Sequence, residues 1–338
     1  MNQSPLIVDA HLDLAYNALR GREVLRPAVE QTGDEDGIPS VGLPDLRAGN
    51  VGLICGTIYC APCLKEGEVG YRTADEARAA AVEQYEWYRR CEADGLMRIV
   101  RGREDVPTKA GAAALPMVLL MEGADPMRTP DDVPSWFERG LRMIGLAWKR
   151  TRYAGGTGAP GPLTPEGVEL VKVLDEHGVI HDASHLAEES FWQLLEVSDG
   201  PVCASHSNCR AIVPTDRQLS DEMILEIVKR DGVIGINFYD KFLVPAAEYG
   251  KRRATLEDVV RHVRHMCDLA GSAGHVAIGT DMDGGFGRDQ IPQEIRTAAD
   301  LPKVGEALGR AGFSRGDVEG MLGGNWVRFF RDHLAAEG

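Results

Sequence analysis

Nowhere does this 338-residue chain approach the roughly 18 to 20 consecutive apolar residues needed to cross a bilayer. Met1 to Val8 also lacks the basic segment and long apolar stretch of a secretory leader. Both absences predict a soluble, cytoplasmic protein with no membrane partner. Lys and Arg number 37 against 52 Asp and Glu, a net charge of -15, and no basic run interrupts that field. A polyanion would be repelled over most of the surface, so nucleic acid is not expected as a partner. Cys60-Ala61-Pro62-Cys63 has no second pair to complete a four-cysteine zinc site, and seven cysteines are an odd set, so reduced thiols with structural roles are expected. No internal repeat, low-complexity tract or Gly/Pro-rich linker divides the chain, which predicts one domain over residues 1–338. Gly155-Gly156-Thr157-Gly158 lacks the Lys-Ser/Thr of a phosphate-binding loop and is expected to be a flexible loop, a lid over a pocket.

What the chain does contain is a series of short runs rich in Val, Ile and Leu, at 6–10, 52–59, 116–121, 142–147, 179–184, 202–205, 233–238 and 276–280. They are continuous rather than alternating, as in parallel strands buried on both faces. Helical patterns at 73–93, 134–139, 164–177, 187–197, 220–229 and 255–270 lie between them, and 301–310 and 317–330 follow. Thr164 and Ser220 stand where a hydroxyl caps a helix start. Strand and helix alternate through eight units, so the predicted fold is α/β, a (β/α)8 TIM-like barrel of the metal-dependent hydrolase type. A doubly wound sheet is the alternative. Its glycine fingerprint is missing after the first run, where Asp9-Ala10-His11-Leu12-Asp13 offers polar ligands instead.

In such a barrel the active site gathers at the C-terminal strand ends. There the chain places His11 and Asp13, Glu122, His185, His206 and Asp281. In an extended strand residues two apart share a side, which would aim His11 and Asp13 together. Imidazole and carboxylate are the ligands zinc prefers, and two dications need anionic groups to offset their repulsion. Two zinc ions per chain are therefore expected, with other divalent ions able to substitute: His11 and Asp13 on one, His185 and His206 on the other, Glu122 bridging. A water shared by the ions would become the attacking hydroxide. Asp281, at the rim and not needed as a ligand, would take its proton and deliver it to the leaving nitrogen. His177, His181, His262, His265, His275 and His333 are expected to be structural, and Asp283 to cap a turn.

These residues lie in segments that resemble the membrane (renal) dipeptidase family of the amidohydrolase-like metallopeptidases. The likeness runs from about Ile7 to Phe330. It rests on Asp9-Ala10-His11-Leu12-Asp13, Met121-Glu122-Gly123, His181-Asp182-Ala183-Ser184-His185, Ala204-Ser205-His206-Ser207, Asn237-Phe238-Tyr239, Gly279-Thr280-Asp281-Met282-Asp283-Gly284 and Gly324-Asn325-Trp326-Val327-Arg328. The resemblance implies hydrolysis of small dipeptides, including those with a C-terminal D-residue, by the same metal ligands and Asp281. It implies that Arg217, eleven residues after His206, grips the substrate carboxylate with its guanidinium fork. Tyr239 would line the same pocket, and a homodimer would fit the family's habit. One departure stands out. Trp148 occupies the place of a histidine that contacts the scissile carbonyl side in the typical dipeptidase, as a substrate contact or a packing residue on the pocket wall. An indole cannot become a cation, so oxyanion stabilisation would fall to zinc or to Lys149, Arg150 or Arg152. The alternatives are an amidohydrolase acting on another small amide, such as an N-acyl amino acid or a modified dipeptide, and an inactive metal-binding barrel.

Overall fold

The computed structural model describes residues 5–336 apart from Glu66 and Glu68. Met1 to Ser4, part of the N-terminal stretch considered above, lie outside the described residues. Each apolar run overlaps a strand: β1 (Ile7–Leu12), β2 (Val51–Tyr59), β3 (Leu115–Glu122), β4 (Leu141–Gly145), β5 (Ile180–Asp182), β6 (Val202–Cys203), β7 (Ile234–Ile236) and β8 (Val276–Ile278). β1 to β6 pair in chain order, all parallel, and β7 pairs with β8. A parallel bridge between Ala204 and Ile234 joins β6 to β7. The last seam, β8 to β1, is made by a side chain: Asp9 accepts hydrogen bonds from the Thr280 amide at 2.8 Å and the Thr280 hydroxyl at 2.6 Å. The result is the expected α/β barrel. One unexpected strand, Met97–Ile99, pairs with the start of β3. Three residues are too few for an apolar run to stand out.

Period two sorts the strand residues into two cores. Val8, Ala10, Leu53, Cys55, Val118, Leu120, Ile180 and Cys203 belong to one cluster with Trp326, Phe329 and Phe330 of the helix Asn325–His333, which closes the barrel floor. Their alternates, such as Ile7, Ile54, Met117 and Leu119, pack in the larger cluster shared with the surrounding helices. The Trp326 indole N–H also donates to the Ile278 carbonyl at 2.9 Å.

The helix starts follow their capping residues. Thr164 accepts from the Gly167 amide at 3.0 Å and Ser220 from the Met223 amide at 3.3 Å. The pattern at 317–330 is divided into Arg315–Glu319, a π turn Gly320–Gly324 and Asn325–His333. Gly323 lies against β1 there, where a Cβ would come within 2.6 Å of the Leu6 carbonyl oxygen. The short helices Leu14–Leu19 and Leu43–Ala48 have too few turns to leave a periodic signal. Among the described residues no helix is long and apolar enough to cross a membrane.

Candidate metal centre

The inward face of each strand continues upward from the apolar floor into the barrel mouth. On β3 it runs Val118, Leu120, Glu122; on β5 it runs Ile180, Asp182; after β6, Cys203 is followed by Ser205. A polar tier therefore sits between the floor and the mouth. β1 departs from simple alternation. Asp9 pairs with Ile54 and Leu12 with Gly56, so β1 advances three residues while β2 advances two, a one-residue bulge. Asp13 then leaves the strand as the N-cap of Leu14–Leu19, with the Thr57 hydroxyl donating to its carboxylate. The bulge and cap, rather than strand period, bring His11 Nε2 and Asp13 Oδ1 to 4.0 Å.

Glu122 stands between two ligand sets. Its Oε2 lies 3.7 Å from His11 Nε2, and its Oε1 lies 3.2 Å from His185 Nε2 and 3.4 Å from His206 Nε2. Those two imidazole nitrogens are 3.0 Å apart. Each of the groups His11–Asp13–Glu122 and Glu122–His185–His206 keeps its ligand atoms within 4.8 Å of one another and could hold a metal ion. A third group, His11, His206 and Asp281, crosses both. The six residues expected at the strand ends thus meet at one mouth.

The electrostatics fit divalent cations. Burial alone would keep His11 neutral, yet Glu122, Asp13 and Asp281 outweigh it and lift its pKa to about 10. Burial raises Asp13 to about 6 against the pull of His11, and raises Asp281 well above the carboxylate range. Burial, with His11 and Arg217 adding to it, pushes His185 and His206 well below the usual imidazole value. His11 Nε2 is buried with no hydrogen-bond partner. Three buried carboxylates converging on three imidazoles form a ligand set whose negative charge a dication would balance in place of a proton.

The mouth also concentrates backbone strain. His185, Asp281 and Asp283 adopt φ of 65°, 59° and 66°, left-handed values that non-glycine residues rarely take. Asp281 Oδ2 accepts from the Asn237 amide group at 2.9 Å, which leaves its Oδ1 toward His11, 4.0 Å away. Asp283 turns the other way. It accepts from the Ser40 amide at 2.9 Å, the Ser40 hydroxyl at 2.7 Å and the Val41 amide at 2.9 Å, and faces Arg22 at 3.5 Å. It caps a loop distant in sequence rather than its own turn.

A cavity of about 300 Å³ opens over Asp13, Glu122, His185 and Asp281, with Trp148, Lys149 and Tyr239 on its walls. Trp148 packs edge-on to Tyr59 with ring centroids 5.4 Å apart, and lies 6.2 Å from His185. Tyr239 stacks on Phe286 at 4.3 Å. Arg217 is not among the lining residues. It is buried behind the site, donating to the Ser207 hydroxyl at 3.0 Å and the His206 carbonyl at 2.6 Å. Gly155 and Gly156 are packed rather than loose, since a Cβ would strike the Gly161 backbone and the Lys149 carbonyl respectively. Thr157 in that loop contacts His185 Nδ1 at 3.0 Å.

The other histidines hold the scaffold: His181 meets Asp175 at 2.6 Å, and His262 spans the Cys209 amide and the Leu243 carbonyl. Cys60 and Cys63 are free thiols. Sequence reasoning passed over Asp182 and Ser205, which touch the ligands from beneath the cavity, and Thr157, which touches His185 from the cavity wall. The available signal was a polar residue two positions beyond an inward apolar one.

A family model described as membrane dipeptidase (peptidase family M19) matches residues 1–337. An uncharacterised protein of the pqqA 5′ region from Klebsiella pneumoniae is 30% identical over 250 residues, 70% of this chain and 89% of that protein. Dipeptidase tcpJ from Claviceps purpurea is 30% identical over 249 residues, 71% of this chain and 54% of its own length. Among solved structures, dipeptidase AC, a metallo-peptidase of family M19, superposes with a TM-score of 0.83 at 27% identity, over 99% of this chain and 100% of that one. A metallo-peptidase from Rhodobacter sphaeroides liganded with a phosphinate mimic of the dipeptide L-Ala-D-Ala gives 0.83 at 25% identity, over 98% and 100%.

Proposed function

The chain belongs to the membrane dipeptidase family, peptidase family M19, and from that premise we propose that it is a single-domain metallo-dipeptidase cleaving the amide bond of small dipeptides, including those with a C-terminal D-residue. The observation that carries this reading is the pair of ligand sets sharing Glu122. Two zinc ions, or other divalent cations, held by His11, Asp13, Glu122, His185 and His206 would polarise the scissile carbonyl and acidify a water. Asp281, held through one oxygen by Asn237 and burdened by burial, takes a proton and passes it to the leaving nitrogen. Trp148 and Tyr239 bound the substrate space, and the small cavity favours dipeptides over longer chains. Arg217 stands off the cavity wall, its terminal nitrogens bound to the Ser207 hydroxyl and the His206 carbonyl, so it braces a ligand backbone here and would grip a substrate carboxylate only by turning out of those bonds. Seven free cysteines support a reducing, cytoplasmic location.

The test is a panel of dipeptides and N-acyl amino acids assayed with added zinc, alongside metal analysis of the purified chain. Two equivalents of metal and turnover of dipeptides are expected. Turnover confined to N-acylated compounds would replace the substrate class, and turnover of neither would favour a metal-binding barrel without catalysis.

A further inference from the structure

Resting on the metal reading above, we propose that Asp182 and Ser205 are a positioning pair that fixes the tautomers of His11 and His206, one ligand from each metal set, through a single hydroxyl. Ser205 Oγ lies 2.5 Å from Asp182 Oδ2, 2.7 Å from His206 Nδ1 and 3.2 Å from His11 Nδ1. A hydroxyl has one hydrogen and two acceptor positions. The Asp182 carboxylate already accepts on Oδ1 from the Ser184 amide at 2.9 Å and the Ser205 amide at 2.8 Å, and takes the hydroxyl hydrogen on Oδ2. Both lone pairs of Ser205 are then left for N–H donors. Each Nδ1 therefore carries a hydrogen, and in the neutral, metal-binding ring each Nε2 on the Glu122 side keeps its lone pair for a cation. All four residues are at most 3% exposed, so bulk water does not compete for these bonds.

The remaining neighbour, Ser184 Oγ, accepts from the His206 amide and the Ser207 hydroxyl, and its own hydroxyl, 3.4 Å from Ser205 Oγ, is outcompeted there by the two nearer ring nitrogens at 2.7 and 3.2 Å. His185 is served separately. Its Nδ1 meets Thr157 Oγ1, whose hydrogen goes to the His185 carbonyl at 3.4 Å. The two hydroxyls thus have different reach: Ser205 touches both metal sets, Thr157 only one.

The local packing explains why the hydroxyl can sit so exactly between the rings. Gly235 of β7 and Gly279, just after β8, pass over the Ser205 backbone, where a Cβ on either would collide with the Ser205 carbonyl oxygen. Glycine at both positions lets the strands close on Ser205 and hold it.

The test uses the full chain loaded with zinc. Nitrogen-15 spectra of labelled histidine in the parent should report His11 and His206 protonated at Nδ1 and zinc-bound at Nε2, a readout that requires no variant. Asp182→Asn keeps the shape, with its oxygen retained by the two backbone amides and its NH2 facing Ser205. That NH2 consumes one lone pair and turns the hydroxyl hydrogen to a ring, so one imidazole must shift its proton to Nε2 and one zinc per chain should be lost. Ser205→Ala should weaken both zinc sites by about 10- to 100-fold, whereas Thr157→Val should weaken one. Parental affinity at both sites in Ser205→Ala and Asp182→Asn, or Nε2 protonation in the parent, would overturn the inference while two bound zinc ions left the metal reading standing. A parent that binds no zinc would overturn both.

Discussion

Asp281 and Asp283 are two residues apart, both buried and both left-handed, yet they face opposite ways, and exchanging each for Asn separates chemistry from scaffold. In Asp281→Asn the amide oxygen can still accept from Asn237, no metal set loses its shared Glu122, and a repelling carboxylate is removed from the mouth. Zinc binding and melting temperature should hold, while kcat falls by about a hundred- to ten-thousand-fold with the loss of the proton carrier. In Asp283→Asn one acceptor oxygen becomes a donor. Whichever way the amide settles, it faces either the Val41 amide and Arg22 or the Ser40 amide and hydroxyl. Arg22 keeps its two bonds to Asp34, so the loss is that of one or two buried donors left unsatisfied, about 1 to 3 kcal/mol, which at about 2 °C per kcal/mol for a chain of this size lowers the melting temperature by roughly 2 to 6 °C. Thermal unfolding and steady-state kinetics on the same preparations decide the matter. An Asp283 variant with parental melting and lost turnover would put Asp283 in the chemistry and refute the division of roles.

Chelation of the metals should lower the melting temperature, because the carboxylates around Glu122 lose the cations that offset their repulsion; an unchanged melting curve in excess chelator would contradict the ligand assignment. Trp326→Ala, which empties the barrel floor and frees the Ile278 carbonyl, should cost about 3 to 5 kcal/mol in denaturant unfolding with little change in KM. Asp240 gives a pH signature. Burial, relieved in part by the Ala254 amide and Arg253, raises its pKa to about 6, so the folded state holds a proton that the unfolded state has released. Its contribution is full below the unfolded value near 4 and lost as pH rises through 6. Asp240→Asn should therefore gain stability relative to the parent at pH 8 but not at pH 4, as compared by thermal melts at both values.

The fold was legible because each barrel strand is buried on both faces. Val118 faces the floor and Met117 the helices, so neither position tolerates polarity and the run appears unbroken along the chain. What escaped notice was short or depended on neighbours: Met97–Ile99, Leu14–Leu19 and the π turn at Gly320–Gly324 lack the length that a period requires. The metal ligands were legible for a related reason. A charged or imidazole side chain ending an apolar strand has to be satisfied by something, and Glu122 at the end of Leu115–Glu122 breaks seven apolar or backbone-limited positions at once.

The residues beside the ligands were not legible on the same ground, and the difference is physical. Ser205 and Asp182 satisfy one another, so in sequence each looks like an ordinary small polar residue near a strand end, and only the distances to His11 and His206 give them meaning. Arg217 illustrates the converse. The family resemblance implies a carboxylate fork at this position, but the fold uses one hydrogen on each terminal nitrogen to hold Ser207 and the His206 carbonyl, so the same side chain that would grip substrate also braces the backbone of a ligand. Substituting Arg217 by Lys should consequently raise KM and weaken zinc binding together, since a single ammonium cannot reproduce both bonds. A change confined to KM would show that the brace to His206 is dispensable and that the arginine acts on substrate alone.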